Sequence, residues 1–282
     1  MSLSLVTNVQ SLKVQQNLTA ATNTLNTAIE RMTTGYKINC AKDDAAGYSI
    51  ASQMEAKLSS YDVAANNAQI GLDMLTTTEE NYTLITDHLQ RIRDLTEQAA
   101  NGTYSTESRA AIEAEIKSRL DEIDRVAGSA EYNGMNLMDS SLNDVNIQVG
   151  IDGTGNSRVT LEAALFGDAS ASTIINQGDN DTFAGACSAA DTASAQLEHI
   201  DAAIDNISTR VTTLGAAQNR LESALDSIAV TTENLTSSLS TVKDADIATE
   251  STRYLQAQIL QSAATTLLST ANQTPSIALQ LI

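Results

Sequence analysis

A few groupings of titratable residues have the types that could do chemistry. Acids adjoin at Asp43–Asp44, Glu79–Glu80, Asp121–Glu122–Asp124 and Asp244–Asp246. Paired carboxylates act as general acid and base when they face each other across a cleft with separated pKa values. Near neighbours on a helix surface meet neither condition, so these groups read as solvated faces. His88 and His199 are isolated, outside any HExxH and away from a ligand set. Cys40 and Cys187 lie far apart, in no CxxC and near no His cluster. They read as two small thiols, with a disulfide or a metal site as the alternative. GIDGTGNS (150–157) has the glycines of a phosphate loop without its lysine or its strand–loop–helix setting. Asp179 and Asp181 begin a calcium-loop spacing that nothing completes. No catalytic, cofactor or metal residues emerge, and no cofactor is expected.

These residues are carried on long helices. From Leu197, positions 197, 200, 204, 207, 211, 214, 218, 221, 225, 228, 232, 235, 239 and 242 step by threes and fours. All are apolar except Gln218 and Thr232. A seam kept over six heptads is a coiled-coil or long-bundle signature. At 1.5 Å per residue the helix would be roughly 70 Å long. A second seam runs over 50–100 through Met54, Leu58, Leu72, Leu75, Tyr82, Leu89 and Ile92, with Glu79 as its main defect. Asn101–Gly102 ends it. A third helix is expected from Ala110 to Ala127, with Ile112, Ile116, Leu120 and Ile123 on one face.

The ends are also helical. Residues 4–34 carry Leu5, Val9, Leu12, Leu18, Leu25, Ile29 and Met32, interrupted by Gln16 and Thr22. Polar interruptions weaken a lone helix, so this segment is expected to order only against a partner. Gly35 stops it. TTGYKINCAKDDAAG (33–47) reads as an irregular connection, with Asp43 and Asp44 placed to cap the next helix. After Val242 one more helix is anchored by Ile247, Leu255, Ile259, Leu267 and Leu268, and Pro275 stands where it bends or ends. The apolar tail IALQLI needs a protein partner.

Between the ends the period changes. VNIQVG (145–150) and RVTLEA (158–163) alternate as a β-hairpin would. Residues 166–190 have weak periodicity and read as a surface loop. Removing 168–185 would then change stability by less than about 1 kcal/mol.

Composition narrows the partners. The 282 residues include one Pro, no Trp, two Phe and 3% aromatics, so Leu, Ile, Val and Ala must do the packing. The net charge of −19 argues against nucleic acid and anionic membrane. From residue 161 onward 14 acids face four bases. The first residues lack the basic start and apolar core of a signal peptide. No stretch approaches 18 apolar residues, so membrane insertion is not expected. That points to the cytosol, or to secretion without a cleaved signal.

The chain resembles bacterial flagellin through TNVQSL (7–12), QQNL (15–18), ERMTTGYKIN (30–39), AKDDAAGYSIA (41–51), LQRIRDLTEQAANGTYS (89–105), EIDRVAGSAEYNGMNLM (122–138), LGAAQNRLESAL (214–225), DADIATE (244–250) and QAQILQSAATTLLSTANQ (256–273). With VNIQVG, these segments follow the family's order over about four-fifths of the chain. The chain departs from the family in three ways. The surface-decorating middle domains are shrunken to 166–190. Cys40 stands where Ser or Gly is common. Leu281–Ile282 replaces a polar end.

The resemblance implies a mainly α, elongated flagellin-type helical rod with long heptad-patterned helices, a terminal coiled-coil pair and a small β-hairpin element. Residues 1–43 and 245–282 would form an inner terminal-helix domain. Residues 44–165 and 191–244 would form an outer rod with the hairpin near 145–163. The implied function is the structural subunit of the flagellar filament, an extracellular helical propeller exported without a cleaved signal. A hook–filament junction protein is the alternative. Implied partners are other copies in an open helical homopolymer, an export chaperone, and cap and hook-junction proteins. Leu5, Val9, Leu12, Arg91, Leu95, Glu115, Ile259, Leu267 and Leu268 would be assembly contacts. Asn39, Asp43, Asp44 and Gly47 would form the connection between domains. Arg91, Leu95 and Glu115 also match positions that the vertebrate innate receptor recognises in related chains, with assembly as their primary role. The Arg91 head group is expected to face solvent in the monomer and to meet acids of an adjacent copy.

Overall fold

The computed structural model describes residues 7–279, with side chains described through Gln273. The chain is mainly helical. In order come α1 (Val9–Thr34), α2 (Ala45–Ala100), α3 (Thr106–Ser129), β1 (Glu131–Tyr132), β2 (Met135–Asn136), β3 (Val145–Gln148), β4 (Arg158–Leu161), α4 (Ala171–Ile175), α5 (Asn180–Ala186), α6 (Ala190–Lys243) and α7 (Ile247–Leu279). Two compact units result. Unit 1 is Met1–Leu58 with Glu233–Ile282, and unit 2 is Ser59–Thr232. The divisions fall inside α2 and α6 rather than at the expected 43/44 and 244/245. The connection is tied to both helix ends beside it. Lys37 N–H donates to Lys243 O and Ala245 N–H to Gly35 O, and Lys243 pairs with Glu55.

Local chemistry sets the helix ends. The Asn8 side chain accepts from Ser11 N–H to cap α1, and Gly35 closes it at φ 77° with its N–H on Arg31 O. A positive φ of this kind favours glycine. Asp44 caps α2 by accepting from Ala46 and Gly47 N–H at 3.1 and 3.0 Å. Asp43, expected to help, turns back instead and accepts from Asn39 and Cys40 N–H at 3.1 and 3.2 Å. α7 continues through position 275, since one proline removes one ladder bond and the described backbone stays helical.

Unit 2 has one continuous core. The α2 seam buries Leu75, Tyr82, Leu89 and Ile92, and the α6 seam buries Ile200, Ile207, Leu214 and Leu221. α3 adds Ile116, Leu120 and Ile123. α2 and α6 run antiparallel, as the Arg93–Asp201 and Glu79–Gln218 contacts require. The polar residues that interrupt the two seams meet each other. Gln218 Nε2 donates to Glu79 at 2.8 Å, a partnered pair that fixes register. β3 and β4 pair antiparallel with Val145 opposite Leu161 and Ile147 opposite Val159. β1 and β2 form a tighter hairpin around Asn133–Gly134, both at positive φ.

Residues 166–190 are not a surface loop. They hold α4 and α5 and bury Phe166, Ile174, Ile175, Phe183 and Cys187 in the unit 2 core. Arg210 Nη1 donates to Gly167 O at 2.7 Å, and Asp124 accepts from Ala171 N–H at 2.8 Å. The apolar residues serve elements too short to express a period.

Candidate assembly surface

α1 and α7 form an antiparallel pair within unit 1. Its polar contacts run in opposite order along the two helices. Asn8 Nδ2 donates to Ala271 O at 2.8 Å, Gln261 to Thr22 Oγ1 at 3.3 Å, and Arg31 to Glu250 at 3.2 Å. Thr22, a polar interruption in the α1 stripe, is therefore partnered. The facing positions on α1 are Val14, Leu18, Ala21, Leu25, Ala28 and Met32, a three–four alternation. On α7 they are Glu250, Tyr254, Ala257, Gln261, Ala264 and Leu268.

The apolar residues most deeply buried in this seam are Ala21, Ala28, Ala257 and Ala264. Several large apolar residues lie outside it. Val9, Leu12 and Ile29 on α1 are exposed, as are Leu255, Ile259, Leu260 and Leu267 on α7, Ile259 reaching 68%. The expected α1 stripe thus divides between two faces. Leu18, Leu25 and Met32 face α7, whereas Val9, Leu12 and Ile29 face away. A groove of about 450 Å³ between the helices is lined by Ala20, Ala21, Ala257, Leu260, Ala264 and Leu267, among others. Alanine seams let helices approach closely, yet each methyl removed from water contributes only about 0.8 kcal/mol. The alanine seam was legible in the sequence as Ala21–Ala28 and Ala257–Ala264, each seven apart.

The pair is pinned at one end by charge. Glu250 is buried and accepts from Arg31 at 3.2 Å and from Arg253 at 2.7 Å. Sequence reading did not single out this carboxylate. At the connection, Lys243 lies 4.4 Å from the centre of the Tyr36 ring, and the Glu55 carboxylate raises its pKa. The N–H groups of Asn39 and Cys40 lower the pKa of Asp43. Asn39 also donates through Nδ2 to Tyr36 O at 3.2 Å. Gly47 is fixed by space, because a Cβ there would fall 2.5 Å from Asp44 and 2.6 Å from Ile38.

The proposed contacts therefore sort into separate places. Val9, Leu12, Ile259 and Leu267 are exposed on unit 1, and Leu268 is half-buried in its seam. Leu5 and the tail from Gln280 onward lie outside the described residues. Leu95 is 2% exposed within the unit 2 core, so it offers no surface to another copy. The Arg91 head group is already paired inside the chain. Its Nε and Nη2 donate to one Glu115 oxygen at 3.1 and 3.0 Å, joining α2 to α3. The acid expected from a neighbour comes from the same molecule, because α3 brings Glu115 alongside.

No described group of three or more His, Cys, Asp or Glu residues could hold a metal ion. His88 lies beside Arg119, and His199 beside Gln177. Both cysteines are free. Burial pushes the Cys187 thiol up to about 11, which keeps it protonated and unreactive. GIDGTGNS forms the turn between β3 and β4. No described helix is long and apolar enough to cross a membrane.

Comparison with known proteins gives this surface its context. The bacterial flagellin N-terminal helical region matches residues 5–143, and the C-terminal helical region matches residues 197–282. Flagellin of Listeria innocua is 34% identical over 281 residues, covering 98% of each chain. Flagellin of Bacillus subtilis is 33% identical over 300 aligned residues, also covering 98% of each. The structure of a putative flagellar hook-associated protein from Vibrio parahaemolyticus shares the fold, with a TM-score of 0.60 at 15% identity, over 72% of this chain and all of that one. Matches that run from one end of the chain to the other, with the helical regions in order, place this protein in the bacterial flagellin family of flagellar structural proteins.

Proposed function

We propose that this chain is the filament subunit itself, polymerising through unit 1 into an open helical homopolymer that serves as the propeller. One observation carries the reading: the α1–α7 pair buries alanine most deeply and leaves Val9, Leu12, Ile259 and Leu267 exposed. An α1–α7 pair with so little apolar burial is marginal alone. Packing Val9, Leu12, Ile259 and Leu267 against neighbouring copies supplies the missing contact and couples ordering to assembly. The three–four seam supports reading the pair as a coiled coil. A contact between unlike patches leaves the polymer open.

The same reading puts the protein outside the cell, delivered with an export chaperone and meeting cap and hook-junction proteins. Receptor recognition through Arg91 and Glu115 would use exposed groups, whereas the burial of Leu95 argues against direct contact there. A junction role is less well supported, since the likeness to the hook-associated structure is one of fold alone. Electron microscopy and sedimentation of the purified full-length chain test the proposal. Filaments of uniform width above a critical concentration are expected. A chain that keeps its helices yet stays monomeric at every concentration overturns it.

A further inference from the structure

Asparagine followed directly by glycine occurs twice, at Asn101–Gly102 and Asn133–Gly134. The pair has a chemistry of its own, because a glycine nitrogen, with no side chain beside it, can approach the carboxamide carbon of the residue before it. The two pairs are held differently. At Asn133–Gly134 both residues are at positive φ, 50° and 80°, inside the β1–β2 hairpin where Tyr132 pairs with Met135. That turn itself demands these residue types. Asn101–Gly102 directly follows α2, and no strand pairing holds it. Gly102 is not at positive φ, and a Cβ there would meet nothing within 4 Å. Neither backbone conformation nor space requires glycine at 102.

The Asn101 side chain is set for attack. Its Oδ1 accepts from Thr103 N–H at 3.1 Å and from Thr103 Oγ1 at 3.0 Å. These bonds fold the carboxamide back along its own chain and draw electrons from Cγ. The same donors stabilise the charge that builds on Oδ1 when a nucleophile adds to that carbon. Gly102 N–H donates to no described backbone carbonyl, so its nitrogen is not tied up in a ladder. Asn101, Gly102 and Thr103 are all exposed, which admits water.

We infer that Asn101 is a site of intramolecular deamidation, with water as the only co-reactant, and that the α2–α3 connection is thereby altered as the protein ages. Gly102 N bonds to Asn101 Cγ. Its proton passes through water to Nδ2, the Cγ–Nδ2 bond breaks, and ammonia leaves a cyclic imide. Water then opens the ring at either carbonyl. Opening at Cγ gives aspartate with the main chain unchanged. Opening at the main-chain carbonyl gives isoaspartate, in which the chain runs through Cβ and Cγ. No atom changes oxidation state. Both products put a carboxylate beside the C-terminus of α2, where the aligned peptide dipoles already concentrate negative charge. The last turn of α2 therefore loosens with conversion.

The test is peptide mapping by mass spectrometry of the full-length chain, aged in heavy-oxygen water at physiological temperature and mildly alkaline pH. Residue 101 should take up heavy oxygen as a mixture of aspartate and isoaspartate. It should convert about tenfold faster than residue 133, whose strand pairing resists the alignment that ring closure needs. This comparison lies within one protein and needs no variant. Gly102→Ala, which has room for its methyl, should slow conversion about tenfold by crowding the attacking nitrogen. Thr103→Val removes one donor to Oδ1 and should slow it, and Thr103→Ser should recover the parent rate. Thermal midpoints of the fresh proteins, measured first, show that each variant folds as the parent does. Hydrogen exchange over residues 98–101 should quicken in the aged parent and not in aged Gly102→Ala. Equal rates at 101 and 133, aspartate formed without isoaspartate, or a Thr103→Val rate equal to the parent's overturns the assignment.

Discussion

Units 1 and 2 share two helices, since α2 and α6 each run through both, yet they bury opposite kinds of residue. Unit 2 encloses Tyr82, Phe166, Leu75, Ile92 and Leu161 at essentially zero exposure. Unit 1 encloses alanines and Ile38, and holds Ile259, Val9 and Leu267 on its surface. The charge is divided in the opposite sense, with unit 2 strongly acidic and unit 1 nearly neutral. A core that closes on itself can tolerate a self-repelling exterior. A helix pair that leaves apolar surface open has to avoid one if, as proposed above, other copies are to cover that surface. The same heptad pattern therefore means two things. In unit 2 it describes packing already completed, and in unit 1, on the polymerisation proposed above, packing still to be made.

The hardest way to break this contrast is to charge the open face. Ile259→Asp with Leu267→Asp should abolish filament formation while leaving the thermal midpoint of unit 2 unchanged. Both side chains are exposed in the single chain, so carboxylates there cost little until a neighbour would desolvate them. Filaments of normal mass by sedimentation would show that this face is not used. The converse substitution lies inside unit 2. Phe183→Ala removes a buried aromatic from α5 and should lower stability by about 3–5 kcal/mol in denaturant unfolding. A loss below about 1 kcal/mol would return residues 166–190 to a surface loop.

A third substitution tests how unit 1 is held without a large core. Glu250 accepts from both Arg31 and Arg253 while buried. Glu250→Gln leaves Arg31 without its counter-charge. Breaking a buried pair costs about 3–5 kcal/mol, and the partial exposure of Arg31 reduces this to about 2 kcal/mol. Helical content from unit 1 should melt earlier while the near-ultraviolet signal of Tyr82 in unit 2 holds its midpoint. Simultaneous loss of both signals would mean the two units unfold as one.

The long elements were legible in the sequence because their periods persist over many turns. The seams through Leu75–Ile92 and Ile200–Leu221, the β3–β4 hairpin and the break at Asn101–Gly102 all appear where residue spacing placed them. Short elements were not, because α4 and α5 have five and seven residues and present less than two turns each. The candidate surface was half legible. Val9, Leu12, Ile259 and Leu267 stand on apolar stripes that spacing reveals and became expected contacts through the resemblance, but spacing does not say which apolar stripe faces the partner helix within the chain. Leu95 entered through the resemblance alone, and its identity fits a core position, where it is 2% exposed, as well as a surface contact.

The smallest expected effect bears on Arg91, the surface residue of unit 2 where the two accounts differ most. Arg91 and Glu115 are 44% and 38% exposed, and their bond spans α2 and α3 within one chain. Exposed pairs of this kind are worth about 0.2–1 kcal/mol, because water competes for both groups and salt screens them. Arg91→Ala and Glu115→Ala, combined in a double-mutant cycle on the monomer, should therefore couple by less than about 1 kcal/mol. The coupling should shrink as salt is added, and neither single substitution should move the critical concentration for assembly. A different pattern would restore the contact between copies. In that case Arg91→Ala would raise the critical concentration severalfold while Glu115→Ala left it unchanged, and the monomer cycle would show no coupling. The two residues would then be neighbours on one chain with separate partners, and unit 2 would share in the cohesion that the proposed assembly gives to unit 1.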